Sequence, residues 1–148
     1  MKNRFLILSV LLIIALAGCR KLSSGPISTV SIGGHTVKVI EVSDPDAQAR
    51  GLAGVVRLND DEGMLFRFKD KADRSFWMKG MRIPIDIVWI ADNTIVGIER
   101  TVQPPKGAVP DSELERYGPP VPVNYVLELA AGYTDRYPVQ IGDTVYYR

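Results

Sequence analysis

Short β-type segments separated by turn residues follow one another from residue 27 onwards, and they constrain the fold more than any other feature. Ile27–Ile32 and His35–Val42 flank Gly33-Gly34, a pair that is typical of a two-residue hairpin turn. Residues 83–90 form the most apolar segment, and Asp92-Asn93 predicts a turn directly after it. This pattern predicts a mainly β domain.

The remaining segments support the same fold class. Further strands are predicted at 64–68, 75–79, 94–102, 123–129 and 144–147, with a charged turn at Lys69-Asp70-Lys71. Asp44-Pro45 is typical of a helix start and Gly51 of a helix end, which predicts a short helix through Arg50. Residues 130–137 are predicted to form a turn or a second short helix. About eight short strands with little helix indicate a compact single-domain β-sandwich or a partly closed barrel.

Residues 103–122 differ from the rest because they are rich in proline. A proline cannot donate a hydrogen bond to a β-ladder, so this stretch predicts a long loop. Long loops in compact domains are often functional or mobile. We expect this loop to cover a binding site or to dock a partner, although an inert connector has the same composition.

The N-terminal segment is typical of a secretory signal. Lys2 and Arg4 precede an apolar run over 5–17, which would form a helix of about 20 Å, too short for a hydrocarbon core of about 30 Å. Leu16-Ala17-Gly18-Cys19 resembles the lipobox of bacterial lipoproteins. That resemblance implies cleavage before Cys19 and acylation of its thiol, and two acyl chains suffice for stable membrane anchoring. An ordinary cleaved signal and an uncleaved anchor remain alternatives.

The lipobox divides the chain into three parts and predicts where it resides. Residues 1–18 are the predicted signal peptide, 19–26 the lipidated start and tether, and 27–148 the β domain. We expect the protein to be anchored in the bacterial cell envelope, facing the periplasm or the exterior. Arg20 stands where lipoproteins retained at the inner membrane usually have aspartate, which favours the outer membrane in a cell with two membranes.

Composition excludes several function classes. Residues 1–18 contain two bases and no acid, so the remaining chain carries 16 bases and 17 acids, a formal charge of −1. This balance does not favour nucleic acid as a partner. Cys19 is the sole cysteine, so no internal disulfide can form. His35 is the sole histidine, and motifs of serine hydrolases, phosphate-binding loops and zinc proteases are absent, so no cofactor is expected.

Two carboxylates lie within apolar predicted strands, Asp86 and Glu128. A buried carboxylate needs a hydrogen-bond donor or takes up a proton, and we expect Arg50 or Lys79 to supply the donor. Three interpretations remain open. The charges form a buried ion-pair network; or Arg50, Trp77, Lys79 and Asp86 line a site for a polar small molecule, a glycan or an envelope protein; or Asp86 and Glu128 act as paired acid–base catalysts of a glycoside-type hydrolase.

Copper is a further alternative. Met64, Met78 and Met81 carry thioether sulfurs, which suit Cu(I) in an exported protein. Methionine among aromatic and aliphatic neighbours more often fills gaps in a core. No metal site is therefore assigned from the sequence.

The predicted domain resembles a known family. The chain from about residue 27 to 148 is similar to the family called domain of unknown function 192 (DUF192). The resemblance is carried by Gln48-Ala49-Arg50-Gly51-Leu52, Gly63-Met64-Leu65-Phe66, Phe76-Trp77-Met78-Lys79, Ile83-Pro84-Ile85-Asp86, Leu127-Glu128-Leu129-Ala130-Ala131-Gly132 and Gly142-Asp143. It implies a compact, mostly β fold, jelly-roll-like or barrel-like, and it supplies no reaction. We therefore expect a non-enzymatic binding domain, with the hydrolase and the copper protein as alternatives.

Overall fold

The structure, a computed structural model, describes residues 26–148, and the lipobox and Cys19 lie outside them. The strands are β1 (Ile27–Ile32), β2 (His35–Val42), β3 (Glu62–Ala72), β4 (Ile85–Ala91), β5 (Thr94–Val102), β6 (Val123–Ala130) and β7 (Tyr146–Tyr147). The helices are α1 (Pro45–Arg50) and α2 (Tyr133–Arg136), and a 3-10 turn covers Asp111–Glu113. Within residues 26–148 there is no helix that could span a lipid bilayer.

All seven strands belong to one sheet, in the order β5-β4-β6-β3-β2-β1-β7. The pairs are antiparallel except for β2 and β3, which run parallel and are connected through α1. The two edges of the sheet approach each other. The amide of Ile95 donates to the carbonyl of Asp143 at 2.9 Å, and the amide of Val145 donates to that of Asn93 at 2.7 Å. The sheet is thus a curled half-barrel, which confirms the prediction of a mainly β, partly closed barrel with short helices.

The sheet buries apolar side chains on both faces. One face carries the α2-side core, made of Val30, Ile32, Val37, Val39, Leu65, Val88, Ile90, Ile95, Leu127, Leu129, Tyr133, Val139 and Val145. The opposite face carries the α1-side core, made of Val42, Ala47, Leu52, Val55, Met64, Phe66, Met78, Ile85, Ile87, Trp89, Val102, Val123 and Val126. Because both faces are covered, β4 and β6 are apolar along nearly their whole length, as the sequence predicted for strands buried on both sides.

The helix α1 follows its sequence signals closely. The Asp44 side chain accepts a hydrogen bond from the amide of Ala47 at 2.9 Å, Pro45 occupies the first turn, and Gly51 ends the helix at φ 50°. Gln48 donates to the carbonyl of Arg67 at 2.8 Å, which ties the helix to β3. The predicted helix is confirmed, and it places Arg50 at the rim of the α1-side core.

Two strand predictions are wrong. The predicted turn at 69–71 is part of β3, which continues to Ala72 with a register shift against β6 after Arg67. There β3 has lost its partner β2, so its charged side chains face solvent without interrupting the ladder. The predicted strand 75–79 is a loop, in which Phe76 alone forms an isolated bridge to Tyr117.

Candidate ligand-binding pocket

Asp86 is fully buried in β4, and its carboxylate accepts four hydrogen bonds. Oδ1 accepts from the amides of Thr101 at 2.8 Å and Gly132 at 3.0 Å. Oδ2 accepts from the amide of Thr134 at 2.9 Å and from its hydroxyl at 2.6 Å. The expectation that Arg50 or Lys79 would be the donor is therefore wrong for Asp86. Backbone amides and one threonine satisfy this carboxylate and join β4 to β5 and to the start of α2.

A single arginine supports this cluster from outside. Arg100 donates to the Thr134 hydroxyl oxygen at 2.6 Å, to Asp135 at 2.9 Å and to the carbonyl of Val139 at 3.2 Å. The Thr134 hydroxyl thus accepts from Arg100 while it donates to Asp86. We call Asp86, Thr101, Gly132 and Thr134 the Asp86 cluster, and its function is to hold three chain segments together.

Glu128 lies on the opposite face of the sheet from Asp86. Its cross-strand partners are Met64 and Ile87, both in the α1-side core, whereas Asp86 pairs with Leu129 of the α2-side core. Residues paired across strands share a face, so the sheet itself separates the two carboxylates. They cannot flank one scissile bond, and the interpretation of Asp86 and Glu128 as paired acid–base catalysts is corrected by this geometry.

Glu128 is buried, with 5% of its surface exposed, and it differs from Asp86 in its partners. Its Oε2 atom is buried and makes no hydrogen bond within the described residues. Burial raises the pKa of Glu128 to about 8, because a charged carboxylate is poorly solvated there. At neutral pH this side chain is therefore mostly a neutral carboxylic acid.

A pocket of about 230 Å³ opens onto Glu128. It is lined by Gln48, Ala49, Arg50, Gly51, Leu52, Phe66, Ser75, Phe76, Trp77, Lys79, Met81, Arg116 and Glu128. Other buried polar atoms without a partner in the described part of the chain belong to Ser28, Arg74, Trp89 and Tyr133, and none of these residues lines this pocket. Among the residues that line this pocket, Glu128 is the one with an unpartnered buried polar atom, and Arg74 lines a neighbouring cavity instead. We call this cavity the Glu128 pocket.

Three cations surround the opening of the Glu128 pocket, and they come from three different segments. Arg50 ends α1, Lys79 lies in the loop before β4, and Arg116 lies in the proline-rich loop. Lys79 forms an ion pair with Asp111. The Arg116 guanidinium lies 3.9 Å from the centre of the Trp77 ring, a cation–π contact. Within residues 26–148, Arg50 makes no ion pair.

Gly51 contributes to the shape of this pocket. Its φ of 50° lies in the left-handed region, and a Cβ there would approach the Phe66 ring to 3.4 Å. The turn after α1 therefore brings the backbone close to the aromatic wall. The Gln48–Leu52 motif noted in the sequence forms one side of the pocket for this reason.

The proline-rich loop, residues 103–122, lies beside the Glu128 pocket and contributes Arg116 to its lining. Phe76 and Tyr117 exchange backbone hydrogen bonds at 2.8 and 3.0 Å, which aligns the loop beside the Trp77 segment. Gly97 in β5 allows Pro120 to approach, because a Cβ at this glycine would lie 2.9 Å from the proline ring. These contacts bring Arg116 to the pocket rim.

The structure brings together some of the sequence-predicted site residues and separates others. Arg50, Trp77, Lys79 and Glu128 line one pocket, whereas Asp86 does not line it. Sequence reasoning missed Arg116, because nothing in a proline-rich stretch indicates which side chain will fold back. It also missed Thr134, a buried polar residue whose role depends on a contact 48 positions away.

The methionines considered for copper lie in or against the α1-side core. Met64 and Met78 are buried, and Met81 packs against the same core and lines the Glu128 pocket. Within the described range, no group of three or more histidine, cysteine, aspartate or glutamate residues is arranged to hold a metal ion. The positions of Met64 and Met78 match the use of methionine to fill core gaps.

Comparison with known proteins assigns the family. The family model described as "DUF192: Uncharacterized ACR, COG1430" matches residues 28–147. The chain belongs to the DUF192 family. The residues that carry the resemblance now have places in the structure: the Gln48–Leu52 and Phe76–Lys79 motifs line the Glu128 pocket, and Asp86 and Gly132 belong to the Asp86 cluster. A comparison with curated proteins found no match.

Solved structures of two bacterial proteins are similar to this chain. One, described as a candidate transcription regulator from Sinorhizobium meliloti 1021, is 31% identical, with a TM-score of 0.75 over 84% of this chain and 96% of the other. The second, a protein of unknown function from Novosphingobium aromaticivorans DSM 12444, is 25% identical, with a TM-score of 0.76 over 90% of this chain and 94% of the other. Both structures share the fold of this chain, and the pocket must supply the argument about function.

Proposed function

We propose that this DUF192 domain is a non-enzymatic binding module that holds a small polar ligand in the Glu128 pocket, and that a lipid on Cys19 anchors it in the cell envelope. The observation that carries the binding proposal is that Glu128, whose buried Oε2 atom has no partner within the described residues, lines the pocket. Buried polar groups in proteins are almost always hydrogen-bonded, so an exception at a cavity favours a ligand as the missing partner.

Energetics support a role in binding over a role in folding. An unsatisfied buried polar group costs about 1–3 kcal/mol, and a glutamine or an apolar residue at 128 would avoid the further cost of keeping a carboxyl group protonated at neutral pH. Asp86 shows that this fold can satisfy a buried carboxylate fully. A bare Glu128 is therefore better explained by selection for a ligand contact than by selection for stability.

A non-enzymatic role follows from the chemistry of the lining. Glu128 is the sole acidic residue of the pocket, and the lining contains neither histidine nor cysteine. The pocket thus lacks a carboxylate pair and a histidine or cysteine that could work beside Glu128, and its Lys79 amine is held in an ion pair with Asp111.

A ligand screen by thermal shift tests the binding proposal. The purified full-length protein is heated with polar small molecules, glycans, peptidoglycan fragments and metal salts. We expect a polar ligand to raise the melting temperature of the wild type, and Trp77→Ala to abolish that shift. Glu113→Gln, an exposed change outside the pocket, should retain it. A shift that survives Trp77→Ala unchanged contradicts the assignment of this pocket.

The anchoring part of the proposal rests on the lipobox, and the outer membrane is the favoured membrane in a two-membrane cell. Cys19→Ser removes the acylated thiol. We expect this variant to leave the membrane pellet for the soluble fraction, while the wild type stays in the pellet until detergent is added. Retention of Cys19→Ser in the pellet would contradict lipid anchoring without affecting the pocket.

A further inference from the structure

The charges around the Glu128 pocket narrow the ligand class, an inference that rests on the proposed binding function. We infer that the ligand is a small organic acid, whose carboxylate is held between the guanidinium of Arg50 and the carboxyl group of Glu128. The remaining body of the ligand would lie against the apolar wall formed by Leu52, Phe66 and Phe76.

Charge favours an anion in this pocket. Arg50, Lys79 and Arg116 face it from α1, from the loop before β4 and from the proline-rich loop, and they carry three positive charges. The strands beneath Glu128 contribute apolar side chains, since its neighbours on β3 and β4 are Met64 and Ile87. A cationic ligand would be repelled, and a neutral ligand would gain no ion pair with Arg50.

Arg50 is the cation best placed to receive the carboxylate. Lys79 is paired with Asp111, and Arg116 is stacked on Trp77. Arg50 makes no ion pair with any carboxylate of the described residues. A guanidinium can bind a carboxylate through two parallel hydrogen bonds, which is the strongest geometry that one side chain offers.

Glu128 complements Arg50 as a donor. A neutral carboxylic acid has one O–H group, and a ligand carboxylate is a strong acceptor for it. An ionised Glu128 would instead repel that carboxylate, so ligand binding and protonation of Glu128 favour each other. The elevated pKa of Glu128 supports this pairing, because it keeps the proton in place at neutral pH.

Volume limits the size of the ligand. The pocket holds about 230 Å³, below the roughly 300–1,000 Å³ typical of sites for drug-sized molecules. One ring with its substituents, or a short aliphatic acid, is the largest body that fits.

Matched pairs of acids and neutral analogues test the inference by titration calorimetry on the full-length protein. The pairs are glucuronate and glucose, N-acetylmuramate and N-acetylglucosamine, and benzoate and benzyl alcohol, with glucose 6-phosphate added as a phosphate probe. We expect the acid of at least one pair to bind ten times more tightly than its neutral analogue. Arg50→Met should weaken that acid about 10–100-fold, and Arg57→Met, the same charge change outside the pocket, should not.

The outcomes separate this inference from the proposed function. If neutral members bind as tightly as acids, the carboxylate inference is overturned and the binding module stands. If the phosphate binds more tightly than every acid, phosphate replaces carboxylate as the ligand group. If no probe of either kind binds, both the inference and the proposed function fall.

The pH dependence of binding isolates Glu128. For the wild type we expect constant acid affinity from pH 6 to about 8, and then a loss of about tenfold per pH unit as Glu128 ionises. Glu128→Gln keeps an N–H donor that does not titrate, so it should retain affinity at pH 7 and stay constant to pH 9.5. A flat wild-type profile, or a Glu128→Gln profile that falls like the wild type, overturns the role assigned to Glu128.

Discussion

Asp86 and Glu128 lie on neighbouring strands of one sheet, and both are buried, yet their hydrogen bonding differs completely. Asp86 accepts four hydrogen bonds, three of them from backbone amides. Glu128 has an oxygen with no partner among the described residues and borders a cavity. Asp86 is satisfied entirely by groups of its own chain, whereas Glu128 borders a cavity that a ligand can enter.

The comparison shows that burial of a carboxylate does not by itself indicate a site. A buried carboxyl group either accepts hydrogen bonds from nearby donors or takes up a proton, and the donors within reach decide which of the two occurs. At Asp86, amides from β5 and from the start of α2 converge on the carboxylate oxygens, so this side chain links the three segments. At Glu128, the strands on either side present Met64 and Ile87, so a proton replaces the donors.

The largest effect on stability should come from Asp86→Asn, which changes the carboxylate that accepts four hydrogen bonds. The amide would keep one acceptor oxygen and would place an NH2 group against the amide and hydroxyl of Thr134. We expect a loss of about 4 kcal/mol in the free energy of unfolding, because buried donors lose their acceptor. Urea unfolding measures it.

Asp73→Asn is the matched control for this experiment. Asp73 is exposed, and its side chain makes no hydrogen bond within residues 26–148, so its replacement should change stability by less than about 0.5 kcal/mol. A loss of similar size in both variants, or no loss in Asp86→Asn, would contradict the structural role of the Asp86 cluster.

The second prediction is that Glu128→Gln stabilises the protein at neutral pH. The pKa of Glu128 is raised from 4.5 to about 8 in the folded state, so its contribution to stability is complete below pH 4.5 and is lost as the pH rises towards 8. The uncharged variant lacks this loss. We expect it to be more stable than the wild type by about 3 kcal/mol at pH 7.

The difference between the two proteins should itself depend on pH. It should be small near pH 4.5, grow through pH 6 and 7, and become constant above pH 8. Glu113→Gln, an exposed change of the same kind, should track the wild type throughout. A constant difference between Glu128→Gln and wild type across pH 5–8 would show that Glu128 ionises normally in the folded protein.

The contrast between the two carboxylates also marks how far the sequence could be interpreted. Alternation around residues 86 and 128 correctly predicted that both side chains are buried. Period-two reasoning within one strand could not show that they face opposite ways, because that depends on the register between β4 and β6. The helix α1 was predictable because its start and end signals are local. The partners Thr101 and Thr134 were not, since backbone amides from distant segments leave no trace in composition.

The third prediction concerns the hydroxyl that supports Asp86. Thr134→Val keeps the shape of the side chain and removes the donor to Asp86 and the acceptor for Arg100. We expect a loss of about 1.5 kcal/mol, smaller than for Asp86→Asn because three amide bonds remain. Thr144→Val, on the surface, should be near neutral. The double variant Asp86→Asn/Thr134→Val should lose less stability than the sum of the two single losses, since both side chains belong to one cluster. Simple additivity would contradict that coupling.

The smallest effect should come from Thr101, the strained element of the Asp86 cluster. Its φ of 52° lies in the left-handed region, which a β-branched residue rarely adopts, and its amide donates to Asp86. Thr101→Gly relieves the strain but gives more freedom to the unfolded chain, so we expect a gain of only about 0.5 kcal/mol relative to Thr101→Ala. Asp86→Ala removes the acceptor of the Thr101 amide altogether and frees the segment to leave this conformation, so the advantage of glycine should then shrink. If the advantage of glycine over alanine is the same in both backgrounds, the strain at Thr101 is independent of Asp86, and the cluster does not hold β5 in the way its hydrogen bonds indicate.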